Sequence, residues 1–201
     1  MKLAIIGASG HGKVVADIAE KNGYDDIEFY DDDKYLTYCG KWPVVGSTDE
    51  VPSDEGYPVF VAIGNNKIRR KYIEKYADKN LITLIHPDAT VAEAVSIGKG
   101  SLIVAGSVIN SGTKLGTGCI VNTSSSVDHD CTIGNYCHLS PGTHICGTVE
   151  IGDGTWLGAG SIVVNNTCIC DECIIGAGAV VVDKITVPGI YIGLPARLLR
   201  K

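Results

Sequence analysis

From residue 85 onward an aliphatic side chain recurs at every sixth position: Ile85, Val91, Ile97, Ile103, Ile109, Leu115, Val121, Val127, Ile133, Leu139, Ile145, Ile151, Leu157, Val163, Ile169, Ile175 and Val181. All seventeen are aliphatic in a chain that is 45% hydrophobic, so composition alone does not produce the series. The position four residues later is always small, from Ala89 and Val95 through Ser101, Ser107, Thr113 and Cys119 to Cys173 and Ala179. A fixed period of six predicts a parallel β-helix in which each hexapeptide forms one flat side of a triangular coil. The aliphatic residue points to the axis and stacks on its counterpart one coil away, at roughly 4.8 Å. The small residue also points inward, where a larger one would overfill the prism. Glycine often follows the aliphatic residue, as at Gly98, Gly116, Gly134, Gly152, Gly158 and Gly176, and is expected to serve corners that need a positive φ. The repeat makes a little over five coils.

Residues 1–84 follow another pattern. KLAIIG is a buried-strand run, GASGHGKVVADIAEKNGY a Gly-rich turn and amphipathic helix, IEFYDDD a second strand ending in acids, and VFVAIGNN a third. A helical stretch that includes Arg69 to Ala77 and the strand LITLI complete the segment. Alternation of strand and helix predicts a parallel sheet, and its length matches one mononucleotide-binding half of a doubly wound fold. The expected organisation is a small α/β Rossmann-like domain over 1–84 and a parallel β-helix over 85–201.

Composition then narrows the function. The net charge of −6 speaks against nucleic acid, but leaves room for a small anion held by backbone N–H groups at a helix end. The N-terminal apolar run is too short for a signal peptide and no apolar stretch reaches a membrane span, so a cytoplasmic protein is expected. Cys119, Cys131, Cys137 and Cys173 occupy the small inward slot as reduced hydrophobes. Cys168, Cys170 and Cys173 are expected to point different ways, and no metal site is expected.

Gly7, Gly10 and Gly12 lie between the first strand and helix, a geometry that lets backbone N–H groups and a helix N-terminus face a phosphate. The spacing is not that of the dinucleotide fingerprint. Two other readings remain: Asp31 holding an adenosine ribose, or a tight turn without ligand. Asn65 and Asn66 read either as ligand contacts or as a helix cap. In the repeat domain, His129 between Asp128 and Asp130 is the candidate base, because an ammonium must lose a proton before it can attack a carbonyl and an imidazole titrates near neutrality.

The repeat, [LIV]-G-x-x-[STAC]-x, resembles the hexapeptide-repeat acyltransferases. GASGHGKVVADIA, FYDD at 29–32, AIGNN at 62–66 with Arg69, and NTSSSVDHD at 122–130 are together similar to the sialic-acid and bacillosamine branch of the sugar acetyltransferases. The resemblance implies a left-handed helix, an exception to the usual crossover hand, and a homotrimer with acyl-CoA in the groove between neighbouring prisms. It implies that Gly10, His11 and Gly12 hold the pyrophosphate and sugar of a UDP-amino sugar, that Asp31 and Asp32 bond the uracil, and that Gly64, Asn65, Asn66 and Arg69 lie along the same ligand. Asn122 would contact the sugar near its amine. His138, Gly147, Ala159 and Ala177 would line the acetyl-CoA site, with the Gly147 N–H donating to the thioester oxyanion and glycine there letting the pantetheine arm approach. His129 would act as base in a direct transfer, with Asp130, or else Asp128, orienting its ring. Rival readings are an O-acetyltransferase of sialic acid or a related sugar, a non-catalytic nucleotide-sugar scaffold, and acyl transfer to a small amine such as serine.

Overall fold

Leu3, Ala4, Ile5 and Ile6 are completely buried because their strand, β1 (Lys2–Ile6), has parallel neighbours on both edges. The computed structural model describes residues 1–52, 54 and 56–199, which fall into two compact units, Met1–Pro87 and Asp88–Lys201. In the first unit β1 is followed by α1 (Gly10–Lys21), β2 (Asp26–Tyr30), β3 (Tyr38–Cys39), β4 (Trp42–Gly46), β5 (Pro58–Val61), α2 (Asn66–Lys75) and β6 (Asn80–Leu81). The sheet order is β3-β4-β2-β1-β5-β6. All its pairings are parallel except that of β3 with β4.

α1 covers the sheet with Gly12, Val15, Ala16, Ile18 and Ala19, the spacing of one helical face. A side chain at Gly12 would meet the Gly7 carbonyl oxygen at 2.5 Å and Phe29 Cε1 at 2.9 Å, so this glycine sets how closely the helix approaches the sheet. α2 begins at Asn66. Asn65 caps it, its side chain accepting from Ile68 N at 3.1 Å. The sequence pattern does not predict the β3–β4 hairpin. Its strands pair Cys39 with Trp42 across a tight turn in which Gly40 has φ +66°, and Trp42 packs on Phe29 with ring centroids 6.3 Å apart.

From Thr90 to Val181 the second unit is built of two-residue strands that pair in parallel with residues eighteen positions on; beyond them the three-residue strand Ile190–Ile192 pairs antiparallel with Arg197–Leu198. One side stacks Ile103, Val121, Leu139, Leu157 and Ile175; the next stacks Val91, Ile109, Val127, Ile145, Val163 and Val181; the third stacks Ile97, Leu115, Ile133, Ile151 and Ile169. From Ile103 to Val181 every one of these residues is buried. Val91 and Ile97, at the first edge of their stacks, are half-buried. Among the described residues no helix is long and apolar enough to cross a membrane.

The inward small residues also supply donors. Ser101 Oγ donates to Gly116 O at 3.2 Å, Cys119 Sγ to Gly134 O at 3.1 Å, Cys137 Sγ to Gly152 O at 3.2 Å, and Thr155 Oγ1 to Cys170 O at 3.1 Å. Each satisfies a carbonyl turned into the prism, where an unpaired acceptor costs about 1–3 kcal/mol. That is why Ser, Thr and Cys fill most of these positions.

Two expectations are corrected. The glycines that follow the aliphatic residues are not the positive-φ corners. They stand where the next coil comes too close for a side chain: a Cβ at Gly158 would lie 2.6 Å from Ala177 N and 2.8 Å from Ile175 O. Positive φ falls two residues later, at Gly100, Gly112, Gly160 and Gly178 among others, and also at Ser124, Asp130, Tyr136, Thr148, Asn166 and Glu172. The cysteines near the C-terminus do not all diverge. Cys170 Sγ and Cys173 Sγ are 3.5 Å apart, because the corner between them folds one thiol back towards the other.

Candidate functional site

At the end of β1, Gly7 has φ +102° and turns the chain towards α1. Ser9, the N-cap of α1, makes no side-chain cap bond, and the first turn carries no acid. The positive end of the helix dipole therefore meets no acid within the helix's own first turn. Gly10, the first helical residue, is exposed and has open space where a side chain would stand. Asp31, just past β2, accepts from Ala8 N at 2.7 Å and Asp33 N at 3.0 Å. Asp32 accepts from Thr48 N at 3.0 Å and from the Tyr72 hydroxyl at 2.9 Å. The Thr48 N–H, more than any other group, holds the Asp32 carboxyl below its usual range.

These residues open on a cavity of about 290 Å³, lined by Gly7, Ser9, Asp31, Asp32 and Gly64 together with Thr48, Ile68 and Tyr72. Ser9 and the last three are not singled out by the sequence. Gly10, His11, Gly12, Asn65 and Arg69 are not part of its wall. Gly12 is spent on helix packing and Asn65 on capping α2. Arg69 is 1% exposed, and its guanidinium donates to Ile63 O at 3.1 Å, Gly64 O at 2.9 Å and Asn66 Oδ1 at 3.0 Å. It fixes the loop that carries Gly64. His11 is driven down to about 4 by burial and then by the charge of Arg69, so its ring is neutral at pH 7.

In the second unit, His129 is exposed at a prism corner. The next residue, Asp130, takes φ +57°, and that left-handed step brings its short side chain back to the ring. His129 Nδ1 lies 2.9 Å from Asp130 Oδ2. Asp128 holds the backbone instead, its Oδ1 accepting from the His129 N–H at 2.8 Å and from Asn110 Nδ2 at 2.9 Å. The bond to Asp130, and next the charge of Asp128, raise the imidazole above the usual histidine value. With Nδ1–H donating to the carboxylate, Nε2 carries the lone pair.

Gly147, one coil on from His129, stands directly against that nitrogen. A Cβ there would lie 2.6 Å from Nε2 and 2.7 Å from Cε1. The absent side chain makes room first of all for the imidazole.

On the neighbouring side of the prism, Asn122 Nδ2 is 3.4 Å from His138 Nε2. The His138 ring stacks on Trp156 at 6.2 Å and 21°, and Trp156 Nε1 donates to Ser140 Oγ at 2.7 Å. Trp156, 46% exposed, is not singled out by the sequence pattern, although it stands eighteen residues after His138 in the same outward slot. Ala159 and Ala177 are exposed one coil apart, beside Gly160 and Gly178, where an added side chain would touch nothing. They form a prism edge almost bare of side chains.

Residues 2–76 match the PglD N-terminal domain and residues 148–183 the bacterial transferase hexapeptide (six repeats). The chain is 42% identical to the acetyltransferase domain of PglB from Neisseria gonorrhoeae, with a TM-score of 0.95 and coverage of 98% of this chain and 99% of that one. It is 35% identical to PerB from Caulobacter crescentus, solved with CoA and GDP-perosamine, with a TM-score of 0.94 over 100% of this chain and 98% of that one. UDP-N-acetylbacillosamine N-acetyltransferase of Bacillus subtilis is 33% identical over 110 residues, 51% of each chain; the match spans about half the length of that curated relative.

Proposed function

We propose, from the premise that this chain belongs to the hexapeptide-repeat amino-sugar N-acetyltransferases, that it transfers the acetyl group of acetyl-CoA to the 4-amino group of a UDP-amino sugar. The Rossmann-like unit binds the nucleotide and the left-handed β-helix carries the chemistry. The observation that carries the reading is the His129 ring, held through Nδ1 by Asp130 with its basic Nε2 turned to the gap at Gly147.

In this reading the cavity beside Asp31 and Asp32 takes the nucleoside, and the open first turn of α1 takes the diphosphate. Asp32, ionised and fixed by Thr48 and Tyr72, is a ready acceptor for a base N–H. The bare edge at Ala159 and Ala177 suits the pantetheine arm of acetyl-CoA, and Asn122 and His138 stand at its acyl end. The amine nitrogen attacks the thioester carbon while His129 Nε2 takes its proton. The Gly147 N–H donates to the oxyanion of the tetrahedral intermediate, and the C–S bond breaks to release CoA. Asp130 does not take the proton; it stabilises the imidazolium that forms. Binding of CoA between prisms would make the working form a homotrimer, and such an enzyme would work in the cytoplasm, where acetyl-CoA is supplied.

The test is a screen of CoA release from acetyl-CoA with UDP-4-amino sugars, a GDP-4-amino sugar and free sialic acid as acceptors. Turnover is expected with the UDP-4-amino sugars. Turnover confined to sialic acid would replace N-transfer by O-transfer, and turnover confined to the GDP sugar would overturn the nucleotide assignment.

A further inference from the structure

The catalytic corner rests on the coil beneath it. Asn110, Ser111 and Gly112 lie eighteen residues before Asp128, His129 and Asp130, and both acids of the upper coil are held from the coil below. Asn110 Nδ2 donates to Asp128 Oδ1 at 2.9 Å. Ser111 O accepts from Asp130 N at 3.1 Å. Gly112, with φ +78°, has no side chain where Asp130 Oδ1 now stands. The same Asp128 Oδ1 that receives Asn110 also receives the His129 N–H at 2.8 Å. One oxygen therefore ties the side chain of Asn110 to the backbone of the candidate base.

We propose that Asn110 is a positioning residue for His129, acting through Asp128: it anchors that carboxylate so that His129 is held at the corner and feels a fixed negative charge. The inference rests on His129 being the base. Asn110 is exposed and has no part in the packing of the prism interior, so its side chain is not needed to fold the coil. It is also the largest contributor to holding the Asp128 carboxyl below its ordinary range.

Among the described residues, few groups face the His129 imidazole and its backbone. On its own corner they are Asp128, Asp130 and the Cys131 thiol, whose Sγ donates to His129 O at 3.6 Å. The coil before offers Asn110, Ser111 and Gly112, none of them charged. The coil after offers the Cys146 thiol, Gly147 and Thr148. A change at Asn110 thus reaches the ring through Asp128.

The experiment is the pH profile of kcat/KM for acetyl transfer by the full chain carrying Asn110→Leu or Asn110→Asp, with His129→Ala alongside. The neutral imidazole is the active form, so its raised pKa places the acidic limb of the native enzyme above the ~6.5 of a free imidazole. Asn110→Leu releases Asp128 towards solvent and weakens its field, moving the limb down by about half a pH unit. Asn110→Asp adds a second carboxylate and moves the limb up by a similar amount, about half a unit. A purely structural role would lower rates without moving the two limbs in opposite directions, and limbs that coincide with the native one overturn the proposal. If His129→Ala retains the native rate, the base assignment itself has failed; if it is inactive while both Asn110 limbs stay in place, only the role of Asn110 has failed.

Discussion

Replacing His129 with alanine is expected to lower kcat/KM for acetyl transfer by about 10²–10⁴-fold, the usual contribution of a positioned general base. The sugar nucleotide should bind with nearly unchanged affinity, because the cavity proposed for it is walled by residues of the first unit. Raising the pH should restore part of the lost rate, since free amine then forms without an enzymatic base. Isothermal calorimetry with the UDP sugar and a CoA-thiol assay on the same preparation separate the two effects. A variant that turns over at the native rate removes His129 from the mechanism, and one that loses nucleotide affinity in proportion to rate makes it a binding residue instead.

Gly147→Ala carries the second large effect. The added Cβ would stand 2.6 Å from His129 Nε2, well inside van der Waals contact, so the ring must turn. Turning it breaks the 2.9 Å contact between Nδ1 and Asp130 and moves the basic nitrogen away from the amine. Gly147 is not among the glycines with positive φ, so alanine brings little backbone strain and the prism should remain folded. A displacement of this size at a reacting atom costs about 10²-fold in rate. The expected result is a kcat lowered by that order with a urea midpoint close to native. Parallel loss of stability and rate would show that Gly147 serves packing, and an unchanged kcat would show that the imidazole is free to move.

The prism was legible in the sequence because its physics is one-dimensional. Every coil must present an aliphatic residue and a small residue to the same axis, so the pattern survives without any long-range information. The glycines were misread for a related reason. Gly98 and Gly158 share a slot, but steric exclusion by the coil above and positive φ both select glycine, and only coordinates separate them. Asp130 and Asn166 then show that corners of positive φ accept other residues. The His129 corner was legible as a motif, whereas the division of labour between Asp130 on the ring and Asp128 on the backbone was not, since it depends on the left-handed step at Asp130.

The cavity proposed for the nucleotide was half legible. Gly7, Asp31, Asp32 and Gly64 sit at strand ends, where the α/β pattern places ligand contacts. Thr48 and Tyr72 reach the cavity from a loop and a helix distant in sequence, and nothing local marks them. Arg69 reads in the sequence as a ligand contact because it is a cation near a phosphate loop; that its guanidinium donates to the carbonyls of Ile63 and Gly64 is not legible there. Trp156 could have been found by stepping eighteen residues from His138 along the outward face.

The most direct measurement is the distance from His129 Nε2 to the acceptor nitrogen in a crystal of the protein with CoA and a UDP-4-amino sugar. The account predicts a hydrogen-bonding separation of about 2.6–3.2 Å, direct or through one water, with the CoA sulfur beside the same nitrogen. An amine seated away from the imidazole, with another side chain in reach of its proton, would contradict it.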